Sequence, residues 1–549
     1  MKEIAPYHPG QSADSLPLRF LPLFGSAVVF LLAAFTAVAF DTGWWALWLS
    51  AVLLAVGSYD LLQKKHAVLR NYPISGHMRY LLESFRPEIR QYFLEEEHER
   101  TPFSRAQRSL VYQRAKGESD KRPFGTQLDV AADGYEWINH SLQPTQIASH
   151  DFRLEIGNAA CTQPYSASVF NISAMSFGSL SANAILALNA GAKAGGFAHD
   201  TGEGAISVHH RQHGGDLIWE IGSGYFGCRT ADGRFDPEKF ASQAQDSQVK
   251  MIEIKLSQGA KPGQGGLLPA SKITPEIAQA RGIPLGQDCH SPAAHSAFAT
   301  PLELMAFIQQ LRDLSGGKPV GIKLCIGHPW EWFAMVKAML QTGVVPDFIV
   351  VDGAEGGTGA APLEFTDHVG VPLQEGLQLV HNTLIGAGLR SQVKIGCAGK
   401  VISAFDVVRM MALGADWCNS ARGFMFALGC IQSLQCHTNR CPTGVATQDP
   451  SRQRALDPVD KAERVRLFHD NTLKALKEMV QAAGLEHPND ITGAHIVRRV
   501  SANEVQLLSR LLMRLHPQDL LQDDLQKLPM VFRYYWPVAQ ADTFACAMH

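Results

Sequence analysis

From about residue 168 onward, short unbroken apolar runs alternate with amphipathic helical stretches, and no other feature narrows the fold of this chain as far. "SVFNISAM" precedes "SANAILALNAGAKAGG", "KMIEIKL" precedes "TPEIAQARG", "PVGIKLCI" precedes "WEWFAMVKAMLQTG", and "DFIVVDG", "VKIGCAG" and "ADWCNSA" follow. Strands apolar on both sides belong to a parallel sheet covered on both faces, because a sheet with one wet face alternates. The repetition predicts an α/β fold, a closed (β/α)8 or TIM barrel over residues 161–450, rather than an open doubly wound sheet. At 549 residues the chain exceeds one ordinary domain of ~100–200, which a barrel plus accessory segments accounts for.

Two uncharged stretches precede the barrel. "FLPLFGSAVVFLLAAFTAVAF" (20–40) is long enough at ~1.5 Å per residue to cross ~30 Å of hydrocarbon. After a "DTG" turn, "WWALWLSAVLLAVGSYDLL" (44–62) opens on interface-seeking tryptophans and carries a single charge, Asp60, near its far end. Together they predict a transmembrane helical hairpin over 20–62, with residues 1–19 as a cytoplasmic N-terminus. Lys2 and Arg19 before it and Lys64, Lys65 and Arg70 after it put both ends in the cytoplasm, so the expected location is the cytoplasmic membrane, multi-pass, with the catalytic domain on the cytoplasmic side. A signal peptide fits less well, since the run starts late, continues into a second span and lacks a small-residue cleavage site. Residues 63–160 read as an approach segment with helices broken at Pro87, Pro102 and Pro123, and residues 451–549 as a C-terminal helical cap. Net charge of -3 and a pI near 6.7 offer nothing to nucleic acid, and ten scattered cysteines resemble no disulfide framework.

In a barrel the chemistry sits at the carboxyl ends of the strands, with phosphate on the late loops. Glycine gathers there: "VDGAEGGTGAAP" carries Gly353, Gly356, Gly357, Thr358 and Gly359, and "GCAGKV" carries Gly399 and Lys400. Residues without a Cβ let backbone N–H groups close on phosphate oxygens. Lys323 stands inside the apolar strand "GIKLCI" and requires an anion; a reduced flavin, negative at N1/O2, fits as well as a structural salt bridge. Lys255, Gln258, Lys261 and Arg281 follow another strand and suit a dicarboxylate at the barrel mouth, Arg by its fork and Lys as a point charge.

"GCIQSLQCHTNRCPTGVATQ" holds Cys430, Cys436 and Cys441 in a C-x5-C-x4-C spacing. Structural zinc asks for four ligands, commonly in CxxC pairs, and His437 sits directly beside Cys436. A cuboidal cluster lacking one iron needs three thiolates, and a Cys-Pro ending recurs in ferredoxin-like sites.

With "SAMSFGSLS", "TGEGA", "QGAKPGQGG" and "GGTGAAP" in order before it, the cysteine stretch resembles the synthase domain of glutamate synthase over about 168–448. The resemblance implies an FMN-binding barrel with a [3Fe-4S] cluster on Cys430, Cys436 and Cys441. It places Met175, Ser176, Glu203, Gln258 and Lys323 about the flavin, and Lys261, Gln264, Arg281 and His295 about the substrate, with Lys323, Lys261 and Arg281 as the catalytic set. The implied reaction is reductive amination of a 2-oxo acid, 2-oxoglutarate leading, with ammonia. The electron donor is left open among a ferredoxin, a pyridine-nucleotide reductase subunit and a quinone. The chain departs from the family at Leu267, where a glutamine is usual, at "SPAAHS" around His295, and at Met1-Lys2, where full-length enzymes begin on a nucleophilic cysteine. It is similar to short, membrane-anchored members without an amidotransferase region. Two other readings are a 2-hydroxy-acid oxidase, for which the expected HxxR is missing from the late loops, and a membrane-bound flavin and iron–sulfur electron carrier or redox sensor.

Overall fold

The computed structural model describes residues 18–99 and 102–546 and divides into two compact units, Met1–Arg105 and Ala106–His549. In the first unit, Leu21–Phe40 and Trp44–Leu62 are helices long and apolar enough to cross a membrane. Asp41 and Gly43, both at positive φ, turn the chain between them, and Trp44 Nε1 donates to Asp41 Oδ1 at 3.1 Å. A Cβ on Gly57 would come within 2.5 Å of Leu23, so glycine is what lets the two helices meet closely. Leu31, Leu32, Phe35, Trp45 and Trp48 stay exposed. Asp60, the one charge of the second run, is buried and accepts from Ile74 N at 2.9 Å and from His77 Nε2 at 3.0 Å. The expected break at Pro87 does not occur. Helix Gly76–Ile89 runs through it and widens into a π-helical turn over Arg90–Leu94. Proline in the last turn removes one N–H, and a local widening absorbs the loss.

The second unit is built on eight parallel strands: β1 Phe170–Ile172, β2 His199–Asp200, β3 Leu217–Ile221, β4 Val249–Lys255, β5 Val320–Leu324, β6 Phe348–Asp352, β7 Lys394–Ala398 and β8 Trp417–Ser420. They follow one another around a closed barrel, and β8 pairs with β1. The (β/α)8 expectation holds. Six strands are legible as apolar runs; β2, "HD", is only two polar residues, and β3, "LIWEI", is the other strand that the sequence reading does not single out. Inside, a Cβ on Gly321 would overlap the Phe348 ring and one on Gly396 the Trp417 ring. Two glycines thus make room for two large side chains, and the interior is a packed core rather than a pore.

An antiparallel pair, Arg153–Ile156 with Tyr165–Ser168, closes the amino-terminal end, where the buried Asp347 accepts from Asn158 N and Val320 N, both at 2.8 Å, and from Arg312 Nη2 at 3.0 Å. Helix Pro458–Ala482 packs on Ala182–Gly195, with Gly191 against Ala462 and Val465. The C-terminal segment is not helical throughout. Ile496–Ser501 pairs with Glu504–Leu507 and with Glu136–Ile138 in a three-stranded antiparallel sheet. That strand partner lies some 360 positions earlier, a contact that local periodicity cannot register. Glu136 ties the sheet to the barrel through Arg409 at 2.6 Å and pairs within the sheet with Arg498, also at 2.6 Å.

Candidate active site

The carboxyl ends of the strands bring together the cations read from the sequence, but with partners that the sequence did not name. Lys323 on β5 pairs with Glu220 on β3 and, at 3.3 Å, with Glu253 on β4. The carboxylates of Asp200, Glu220 and Glu253 converge with ligand oxygens within 4.8 Å of one another, all buried. The protein itself supplies an anion for Lys323, which stands in a carboxylate cluster. Burial pulls the Lys323 ammonium down, but Glu220, Glu253 and Asp200 outweigh it and hold it well above the ordinary lysine range. Burial pushes Glu253 up to about 7, helped by Glu220 and opposed by Lys323; Asp200 is raised by burial and by Glu253. The signal for these carboxylates was present, since glutamate inside "LIWEI" and "KMIEIK" is as anomalous as lysine inside "GIKLCI".

Above this layer lies Glu203, from the loop after β2. Lys255 Nζ is 2.8 Å from Glu203 Oε2. Burial raises the Glu203 carboxyl, but Lys255, Arg281 and Lys261 together bring it down to about 2. Three cations thus act on Glu203, of which Lys255 also faces Glu220 at 3.9 Å. Lys261 is buried, and its Nζ donates to Gly265 O at 2.9 Å. Arg281, 4% exposed, donates from Nη2 to Phe177 O at 3.1 Å and lies over the Phe226 ring, while its buried Nε finds no partner among the described residues. Gly178 and Gly204 leave room for this guanidinium. Gly202, at φ +62, lets the "TGEGA" loop press on Met175 and Ser176, where a Cβ would fall 2.7 Å from Ser176 N.

Gln264 and His295, expected about the substrate, differ in their surroundings. Gln264 is exposed on the loop surface. His295 is buried with both ring nitrogens committed, Nδ1 to Tyr225 Oη at 3.1 Å and Nε2 to Lys255 O at 2.9 Å, and burial lowers it to about 4. It positions the Lys255 backbone and has no ring nitrogen left for a substrate. Gln258 is half-buried, its carbonyl accepting from Lys261 N at 3.1 Å. Leu267 is exposed and pairs with His290 in a two-residue strand.

The glycine loops follow β6 and β7, and β8 adds a cation that sequence reading passed over. A Cβ on Gly357 would lie 2.6 Å from Arg422 Nη2, so the absent side chain is what admits the guanidinium. Lys400, on the β7 loop beside Gly399, adopts φ 56 and shares the electrostatic field of Glu355 and Arg422. Gly353 and Gly399 both back onto Leu373 and Glu355, Gly356 lies against Gly353 O, and Thr358 continues the loop. Glycine backbone beside two cations is a donor set that fits a phosphate monoester, and the residues present therefore fit FMN at its phosphate end.

The same loop reaches the cysteines, where a Cβ on Gly359 would lie 3.7 Å from Cys436 Cβ. Cys430, Cys436 and Cys441 all follow β8, in a loop where Gln432, Leu434 and Asn439 adopt positive φ. Left-handed non-glycine residues concentrated in one loop mark a backbone shaped for a purpose beyond packing. Burial raises the Cys430 thiol to about 11; burial also raises Cys441, but hydrogen bonds from Thr443, Ala446 and Val445 outweigh it and lower that thiol. Three thiols in one loop are a donor set that fits a cluster with three protein ligands.

Residues 139–486 match the family model of the conserved region in glutamate synthase. The chain belongs to the glutamate synthase family. The glutamate synthase large subunit-like protein YerD of Bacillus subtilis is 38% identical over 80% of this chain and 91% of its own length. An archaeal-type glutamate synthase [NADPH] of Thermotoga neapolitana is 32% identical over 70% of this chain and 77% of its own. The family makes the protein a glutamate-synthase-like oxidoreductase. Among solved structures, mandelate oxidase with (S)-2-phenylpropionate covers 73% of this chain and 98% of its own at 15% identity, with a TM-score of 0.40. A likeness at that level carries nothing about chemistry.

Proposed function

We propose that this glutamate synthase relative reductively aminates a 2-oxo acid, 2-oxoglutarate first among them, with ammonia as the nitrogen source. The observation that carries the reading is the buried Arg281 Nε, without a partner among the described residues, in a group of cations with Lys261 and Lys255 that acts on Glu203. A buried guanidinium with an unsatisfied N–H is a site for an anion, and an oxo acid brings carboxylates. When bound, FMN supplies hydride from N5 to the imine of oxo acid and ammonia, and a [3Fe-4S] cluster supplies one-electron transfer to the flavin. Gly357, Lys400 and Arg422 would hold the FMN phosphate, and Cys430, Cys436 and Cys441 the cluster. Arg281 and Lys261 bind and orient the carboxylates, and Glu203 keeps both cations in place. The approach of Gly359 to Cys436 supports a short path between the two groups. The two long apolar helices support a membrane anchor with the barrel on the cytoplasmic side. The relative from Thermotoga neapolitana is named for NADPH, which makes a pyridine-nucleotide reductase the first donor to try. The test is glutamate formation by the purified full chain, with flavin and cluster content measured, from ammonia, 2-oxoglutarate and a reductant. Turnover is expected. A fully loaded, reduced protein that no oxo acid plus ammonia reoxidises, yet that reduces quinones, overturns amination in favour of electron carriage.

A further inference from the structure

We infer that Lys272 is a cation dedicated to the cysteine loop, and that its fixed charge raises the reduction potential of the cluster held there. This rests on the cluster reading above. Lys272 is 4% exposed, and its Nζ donates to Cys436 O at 3.1 Å, Ser179 O at 3.4 Å and Ala446 O at 3.5 Å. These are neutral oxygens, and among the described residues no carboxylate pairs with it. Lys323 and Arg312 are neutralised, by Glu220 and by Asp347 at 3.0 Å, whereas buried Lys318, like Lys272, donates only to carbonyls, those of Ala244 and Asp246. An ammonium taken out of water with only carbonyls around it is costly. The ionisable groups that face it are Cys436 and Cys441. Thiolates ligating iron would provide the missing negative charge, so the lysine and the cluster each complete the other.

Placement adds a second consequence. Lys272 ends the 3-10 turn Ala270–Lys272, directly before the helix Pro275–Arg281 that carries Arg281. One side chain therefore fastens the substrate loop to the cysteine loop. Each electron added makes a thiolate-ligated cluster more negative, and a fixed positive charge nearby in low dielectric favours the reduced form.

The experiment is a potentiometric titration of the full chain, with cluster read by electron paramagnetic resonance and flavin by absorbance. Lys272→Met is expected to keep the flavin midpoint and, at a fixed potential, to shift the oxidised-to-reduced cluster ratio at least tenfold toward oxidised, about 59 mV for one electron. Lys272→Arg, which keeps the charge, is expected within twofold of the parent. A parent without a three-iron signal overturns the cluster reading and this inference with it. A parent with the signal and an unmoved potential in Lys272→Met overturns this inference alone. Loss of the signal in Lys272→Met with retention in Lys272→Arg supports it, and loss in both with flavin intact overturns it in favour of a purely steric part.

Discussion

Arg281 and Lys261 carry the same sign but not the same geometry. The planar fork of Arg281 reaches Phe177 O and Glu203's field while leaving Nε unsatisfied, whereas Lys261 is a point charge tied to Gly265 O. Arg281→Lys is expected to raise KM for the oxo acid at least tenfold and to lower kcat less, as steady-state kinetics at saturating ammonia would show. Glu253 gives a second, independent measurement. Its carboxyl moves from 4.5 to about 7, chiefly through burial, so the folded protein holds a proton that the unfolded chain has released. That contribution is fully present below 4.5 and is lost as pH rises through about 7, by up to about 1.4 kcal/mol per pH unit. Glu253→Gln is expected to flatten this part of the stability profile, measured by urea unfolding across the range. At this scale the sequence shows that Lys323 needs an anion; that the anions come from β3 and β4 depends on strands far apart in the chain meeting side by side.

Between residues and molecule, the loops after β6, β7 and β8 act together. The glycines are legible as phosphate-approaching turns, but Arg422 follows β8 in an otherwise apolar run, and its meeting with Gly357 exists only once the barrel closes. Gly357→Val is expected to displace that guanidinium and leave the purified protein with less than half the parent's FMN, read from the flavin-to-protein absorbance ratio. The converse holds for His295, whose sequence position promised a substrate contact and whose fold spends both nitrogens on Tyr225 and Lys255. The strands Ile496–Ser501 and Glu504–Leu507 were hidden for a related reason, since a sheet edge pairs with whatever strand the topology brings.

At the scale of the whole molecule, the two apolar helices lead to a claim about location. The full chain is expected to remain in the membrane fraction through carbonate extraction, and a C-terminal fluorescent-protein fusion is expected to be bright, as folding on the cytoplasmic side requires. Release by carbonate would remove the anchor from the account and leave the barrel chemistry standing. The alternation of apolar runs and helices was enough to specify the barrel, because strands buried on both faces and joined by helices close in few ways. The C-x5-C-x4-C spacing was likewise enough to pick out the three thiols. Charge partners were another matter. Lys323 with Glu220 and Glu253, Arg422 with Gly357, and Lys272 with the cysteine loop join residues distant in sequence, and an interaction that falls off with distance through space cannot be read from order along a chain.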